Sequence, residues 1–473
     1  MNKLARNPEK NQYPVKVIQF GEGNFLRAFV DWMIDILNEK ADFNGSVAIV
    51  QPLPTGLVSM LNAQDRLYHH IRQGLENGKT VDDSRLIECV SKAINPFEDQ
   101  DAYYTLAEEP EAQIVFSNTT EAGIVFNETD LPKGNKLAST FPGKLTQLLL
   151  HRFDHFSGDT SKGLAVIPCE LIEQNGTKLK ACVNQYISLW KLSDDFQNWV
   201  DEACSFANTL VDRIVPGYPK DEIDTVLKRI GVDDKLVVKS ESFHLFVIQA
   251  DERVKSIFPA HKHGLNVKYV DDITPYRTQK VRILNGAHTS MVPIGLLNDI
   301  ETVSETINDE QVGKLVRGII FDEIVETIQI PGEDPKDFAN EVIARFQNPF
   351  IRHELITISL NSISKFKVRV LPTLLDYIQI KNTIPTRLTF SLACLIHLYT
   401  GEKFTIKDNQ EYLDFFKSIK SDSAENIVSK TLANTELWGQ DLTKVSGLQA
   451  AVQTHYQSIE SKKMNDVILS LQA

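Results

Sequence analysis

The stretch that most narrows the fold is VKVIQFGEGNFLRAFVDWMIDILNEK, from Val15 to Lys40, followed by SVAIVQP from Ser46. Val15 to Phe20 is an apolar run of strand length, and Phe25, Phe29, Trp32, Met33 and Ile36 then recur along one side of a helix. Ser46 to Gln51 is a second strand. Strand, glycine turn, helix, strand is how a nucleotide-binding unit opens. Gly21 and Gly23 there permit a tight turn and close backbone approach to a pyrophosphate at the helix N-terminus. Two departures weaken the motif: Leu26 replaces the third glycine of G-x-G-x-x-G, and Glu22 sets a carboxylate beside any phosphate unless its side chain points away. On these residues alone a structural turn and a cofactor site are equal readings. As a cofactor site it takes in Val17, Ile18, Gln19, Phe20, Gly21, Glu22, Gly23, Asn24, Phe25, Leu26, Arg27 and Ala28. Arg27 either offsets Glu22 or lies on the helix surface.

Strands and helices keep alternating through RLIECV, QIVFSNTTEAGIVF, a helix from Pro142 to Phe156, and KGLAVIP, a pattern that predicts a mainly parallel sheet. Ser117, Asn118 and Thr119 fall where QIVF ends, the side on which open sheets bind ligands. Asn118 is therefore a candidate cofactor contact at the nicotinamide ribose, with a plain polar loop as the alternative. FHLFVIQ, from Phe243, and LNVKYV are expected to complete the sheet. After Asp272 long helical patterns take over, at 310–328, 335–346, 387–399 and 411–419, and the charge-rich stretch 401–426 reads as a solvated face. The fold expected is α/β: a Rossmann-type, mainly parallel sheet domain over 1–272, then a mostly α-helical domain over 273–473.

The chemistry is expected in TPYRTQKVRILNGAHTSMVPIGLL, Thr274 to Leu297. Thr274 and Pro275 read as an N-cap and first helical residue, with Val281, Leu284, Met291 and Ile294 at roughly helical spacing behind them. At about 100° per residue, Lys280, Asn285 and His288 fall within an arc of about 140°. A lysine, an amide and an imidazole can thus converge on one small polar group. That suits interconversion of a secondary alcohol and a ketone, where an oxygen becoming alkoxide needs a proton donor and neutral hydrogen-bond donors. Lysine serves only if its pKa falls from about 10.4 towards roughly 7 to 8, as burial between domains would drive it. The bland alternative is a surface lysine and a core histidine on an ordinary amphipathic helix.

At 473 residues the chain exceeds one ordinary core. Its net charge of -13 argues against nucleic acid and anionic membranes as partners, so an anionic substrate needs a local basic patch. Cys89, Cys169, Cys182, Cys204 and Cys394 are scattered, form no CxxC and lack zinc-ligand spacing, which leads us to expect reduced thiols in a cytoplasmic protein. The start lacks an apolar signal region and no run of about 18 apolar residues occurs, so no membrane span is expected. Oligomeric state has no signal in the sequence.

Lys280, Asn285 and His288 reproduce K-x4-N-x2-H, and with LNGAHT they resemble the polyol-specific long-chain dehydrogenases, the mannitol dehydrogenase family. GEGNFLRA is similar to that family's G-x-G-x-F-x-R-A opening, and TLVDRIVPGYP to its VDRI segment, to which no chemistry is assigned. The resemblance implies a lysine general acid/base, an asparagine and a histidine that polarise the substrate oxygen, no metal, and NAD as cofactor. The residues themselves do not choose NAD. Gln51-Pro52 stands where an acidic residue usually holds the ribose, no arginine cluster awaits a 2'-phosphate, and Asp65 is only a distant candidate. KGLAVIPCELIEQNG resembles a family segment that makes Asn175 a possible substrate contact, against a simple Asn-Gly turn.

In RFQNPFIRHELITISLNSISKFKVRVLP, Lys365 stands at the family's substrate-binding lysine, but Thr357 replaces an arginine eight residues before it and His353 an acidic residue. GEGNFLRAFVDW, VFSNTTEAGI, IPCELI, FVIQ, LNGAHT and IRHEL together resemble the family's hexuronate-reducing branch, which implies reduction of D-tagaturonate to D-altronate with NADH in galacturonate breakdown. A uronate carries a carboxylate, for which His353, Lys365 and Arg369 are the candidate partners, surface charge being the alternative for each. Rival substrates within the fold are fructuronate and mannitol-type polyols. A rival of another class is a non-catalytic interaction protein that only binds the nucleotide.

Overall fold

The computed structural model describes residues 2–7, 12–76, 78–120, 122–132 and 136–471. The chain divides into two compact units, one running to Gln73 and from Thr80 to Ile273, the other comprising Gly74–Lys79 and Thr274–Ala473.

The first unit is built on strands β1 (Val15–Phe20), β2 (Ser46–Val50), β3 (Val90–Ile94), β4 (Ile114–Ser117), β5 (Ala165–Pro168) and β6 (Ser205–Phe206). They lie in the order β3-β2-β1-β4-β5-β6 and every neighbouring pair is parallel. The chain steps outward from β1 to β3, then returns across the sheet to β4. The order therefore reverses between β1 and β4, leaving a crevice beyond their C-terminal ends. Both faces are covered, which is why the strands read as nearly unbroken apolar runs. Val17, Val47 and Ile49 pack with Phe29 and Met33 of helix α1 (Asn24–Lys40) on one face. On the other, Ile18, Phe20 and Val50 pack with Leu145, Leu148 and Leu149 of helix α2 (Phe141–His155).

Two expectations need correction. RLIECV is not one strand: Arg85–Ile87 ends the strand Lys79–Ile87, which pairs beside Tyr68–Glu76 and Val238–Glu241 in a three-stranded sheet, while Val90 begins β3. Nor do Leu245–Gln249 and Val267–Val270 finish the main sheet. They form a separate three-stranded sheet with Asn208–Asp212, to which Leu245–Gln249 runs antiparallel. β6, two residues long, is too short to template another parallel strand, and the chain leaves the sheet at Ala207.

The second unit is helical. Its first long helix, α4, consists of three contiguous segments, Thr274–Gln279, Lys280–Asn285 and Gly286–Leu297. Helices α5 (Pro335–Phe346), α6 (Ser362–Arg369), α7 (Thr386–Thr400) and α8 (Leu448–Ser461) follow, and α7 packs against both α4 and α8. The last segment of α4 is buried almost all round, as expected of a helix enclosed by others. Among the described residues no helix is long and apolar enough to cross a membrane.

Candidate active site

In the first unit the glycine turn sits at the C-terminal end of β1. Gly21 has φ +123°, open only to glycine, and a Cβ there would stand 3.0 Å from the Asn118 carbonyl oxygen. Gly23 is the N-cap of α1; no side chain caps the helix, and a Cβ on Gly23 would meet nothing within 4 Å. An uncapped helix N-terminus with room beside Gly23 is what a pyrophosphate requires. Glu22 does turn away: it is buried, its Oε1 accepts from Leu57 N at 3.4 Å, and burial pushes its carboxyl above the usual range. Val17, Ile18, Phe20, Leu26 and Ala28 are wholly buried, so their side chains build the turn and leave Gly21, Glu22, Gly23 and Asn24 to present main chain. Gln19 is buried as well and donates to Gly21 O at 3.1 Å, while Phe25 stacks on Phe29.

Arg27 is neither a surface residue nor chiefly a counter-charge to Glu22. It is 2% exposed and donates to Glu22 O (3.1 Å), Asn24 Oδ1 (2.7 Å) and Leu236 O (2.5 Å), tying the turn to the neighbouring chain. Beyond the ends of β2 and β3 lies a cavity of about 740 Å³, lined by Gln51, Gly56, Asn62, Arg66 and Asn95 among others. Asp65 accepts from Arg6 N at 3.2 Å, and it is Arg66, next to it, that lines the cavity.

At the ends of β4 and β5 the polar groups are knotted together. Asn118 Nδ2 donates to Cys169 O at 2.8 Å. Asn175, the first residue of helix α3 (Asn175–Leu189), is fully buried; its Nδ2 donates to Pro168 O and Glu170 O at 3.1 Å each and to Thr209 Oγ1 at 2.9 Å. It opens a helix rather than a simple turn, and it reaches a substrate only by giving up one of these bonds. Ser117 and Thr119 both bond Glu170, a residue the sequence reading passed over.

In the second unit, Lys280–Asn285 is wound as a π-helix, and Gly286 N–H bonds Val281 O, five residues back. The α-helical arc drawn from sequence does not hold across this segment. In i→i+5 winding, residues five apart stand one turn apart, so Lys280 and Asn285 come towards the same face. His288 follows three residues on, one α-turn from Asn285. Lys280 and Asn285 are partly exposed, whereas His288 is buried with its ring 4.4 Å from that of Phe346 and 5.0 Å from that of His353. Thr289 Oγ1 donates to Asn285 O at 2.8 Å across the return to α winding.

The three residues expected to meet a carboxylate gather near this face. His353 touches His288, and burial and the Lys365 charge hold its imidazole below the usual range. Burial and the nearby Arg369 lower Lys365 in turn, and Lys365 Nζ donates to Ile358 O at 2.8 Å. Arg369 packs its backbone against Gly286.

The Mannitol dehydrogenase Rossmann domain matches residues 15–259, and the Mannitol dehydrogenase C-terminal domain matches 272–460. The chain belongs to the mannitol dehydrogenase family. Relatives in it include the altronate oxidoreductase of Bacteroides thetaiotaomicron, 45% identical over 97% of both chains. That of Bacillus subtilis is 44% identical over 98% of this chain and 97% of its own. The fold is that of a substrate-free D-sorbitol dehydrogenase (TM-score 0.80, 24% identity, 96% of this chain and 95% of that one). It is shared by Pseudomonas fluorescens mannitol 2-dehydrogenase, solved with NAD and D-mannitol (TM-score 0.66, 21% identity, 97% and 94%). Like its family relatives, this mannitol dehydrogenase family member is an oxidoreductase of the polyol type.

Proposed function

We propose that this cytoplasmic enzyme reduces D-tagaturonate to D-altronate, reversibly, with NADH, without a metal, and with Lys280, Asn285 and His288 as its catalytic residues. The observation that carries the reading is the π-turn, which puts the lysine and the amide one turn apart on a face shared with the imidazole. The names of the relatives support altronate as the alcohol.

The first unit suits a dinucleotide: an uncapped helix N-terminus behind a glycine turn, at the point where strand order reverses, beside a cavity beyond β2 and β3. Main chain from Gly21 to Asn24 would hold the pyrophosphate, and Asn118 the nicotinamide ribose. When bound, NADH would supply the hydride that the substrate's carbonyl carbon receives. Lys280 Nζ gives its proton to the oxygen, while Asn285 Nδ2 and the His288 ring donate hydrogen bonds that stabilise the developing charge. In the oxidative direction Lys280 takes the proton back. His353, Lys365 and Arg369 receive the carboxylate, with Lys365 and Arg369 contributing positive charge and His353 a neutral ring.

The test is loss of NADH absorbance with D-tagaturonate, D-fructuronate and D-fructose, repeated with Lys280→Ala. Turnover is expected to be fastest with tagaturonate and to fall between about 100-fold and 10,000-fold in the variant. Preference for another probe reassigns the substrate. NADH binding with no turnover on any of them makes the chain a nucleotide-binding interaction protein.

A further inference from the structure

We propose that Glu170 is a positioning residue that locks the ends of β4 and β5 into the geometry hydride transfer requires. It directly follows Cys169 beyond β5, at the edge where Asn118 and Asn175 are found, and is 2% exposed. One carboxylate oxygen accepts from Ser117 Oγ at 3.0 Å, and the other from both Thr119 N and Thr119 Oγ1 at 3.0 Å. Asn118, between those two residues, is thereby gripped from both sides, and its own amide bonds Cys169 O. The Glu170 carbonyl accepts from Asn175 Nδ2. One side chain and its main chain thus couple the candidate ribose contact to the candidate substrate contact.

A buried carboxylate is a demanding way to join two loops. Burial disfavours its charge, and the donors from Thr119, its own backbone N–H and Ser117 offset this in part. The choice is understandable because two oxygens on one carbon accept at two separate positions, Ser117 on one and Thr119 on the other, whereas a hydroxyl offers a single oxygen. An amide can accept at one oxygen only, and it turns an N–H₂ towards a donor at the other.

The inference rests on the oxidoreductase reading above, and the experiment separates the two. Glu170→Gln, Glu170→Asp and the double variant Ser117→Ala/Thr119→Val are compared with the wild-type chain. The measurements are NADH binding by fluorescence, turnover on the best keto substrate, and the isotope effect with 4-deuterated NADH. Misplacing reacting groups by about 1 Å costs roughly 100-fold in rate, so Glu170→Gln is expected to lose about that much kcat. Its Kd for NADH should stay within about threefold of wild type, because the adenosine half and pyrophosphate are held elsewhere, and its isotope effect should rise as hydride transfer becomes rate-limiting. Glu170→Asp should fall between wild type and Gln. The double variant, which keeps the carboxylate, should repeat the pattern if Glu170→Gln does not fold. Folded variants with wild-type kcat and isotope effect overturn the inference alone. A wild-type chain that oxidises NADH with none of the probes overturns the functional reading, and this inference with it.

Discussion

A Cβ on Gly286 would stand 3.1 Å from the carbonyl oxygen of Arg369, and that neighbour is main chain, which cannot swing aside. The glycine that follows Asn285 is therefore the point at which α4 and α6 approach. Replacing it with alanine gains about 1 kcal/mol of helix propensity and loses about 1 to 3 kcal/mol to overpacking. Gly286→Ala is expected to lower the melting temperature and raise the uronate KM by shifting Arg369. A melt and kinetics identical to wild type show that the two helices part without consequence.

Lys365→Ala removes one charge from the group formed with His353 and Arg369. A hydrogen bond to a charged group contributes about 1.5 to 3 kcal/mol, so KM for D-tagaturonate should rise roughly ten- to hundredfold. KM for a neutral ketose should change little. Equal losses on both substrates remove the carboxylate role from Lys365.

Arg27→Met strands buried acceptors, among them Leu236 O and Glu22 O, at about 1 to 3 kcal/mol for an unsatisfied group. Stability should fall by that order. KM for NADH should rise more than KM for the sugar acid, because the glycine turn loses its tether. Urea denaturation and initial-rate kinetics on the same preparation check both parts, and an unchanged NADH KM breaks the link between tether and cofactor.

Asp31 lies fully buried on α1, bonded by Tyr68 Oη at 2.6 Å, and burial pushes its carboxyl from 3.8 up to about 7. A raised folded-state value means that the native chain holds this proton more tightly than the unfolded chain. Its contribution to stability is complete below about pH 4 and is lost as pH rises through about 7. Asp31→Asn carries no such proton, so its urea midpoint should fall less than that of wild type between pH 5 and 8. Parallel pH curves for the two proteins rule out a titrating Asp31.

The broad architecture was legible because periodicity reports burial. β1, α1 and β2 stand where the apolar runs place them, and Pro335–Phe346 is bounded by its Asp-Pro start. What sequence hid was the destination of polar groups. Arg27 looked like a surface arginine because its three acceptors are carbonyls and an amide oxygen that no sequence pattern marks. Glu170 escaped notice because its donors sit 51 to 53 residues away. The strand Lys79–Ile87 is largely exposed and carries little apolar alternation, so only its end, Arg85–Ile87, was marked in sequence. The arc that groups Lys280, Asn285 and His288 was drawn for α winding, whereas Lys280–Asn285 is wound as π. The switch to π winding leaves no trace in composition.

That winding also sets a limit on how α4 can change length. A π-turn is what remains when an α-helix takes in one surplus residue without moving its two ends, so deleting a single position between Val281 and Leu284 offers the segment a relaxed α-helix. The shorter helix can keep its packing, and because residues four apart in α winding again stand one turn apart, the ammonium at position 280 stays on the face of the amide that follows it. Length tolerance there is thus set by the winding, five residues to the turn or four, which absorbs the change while both side chains keep their direction.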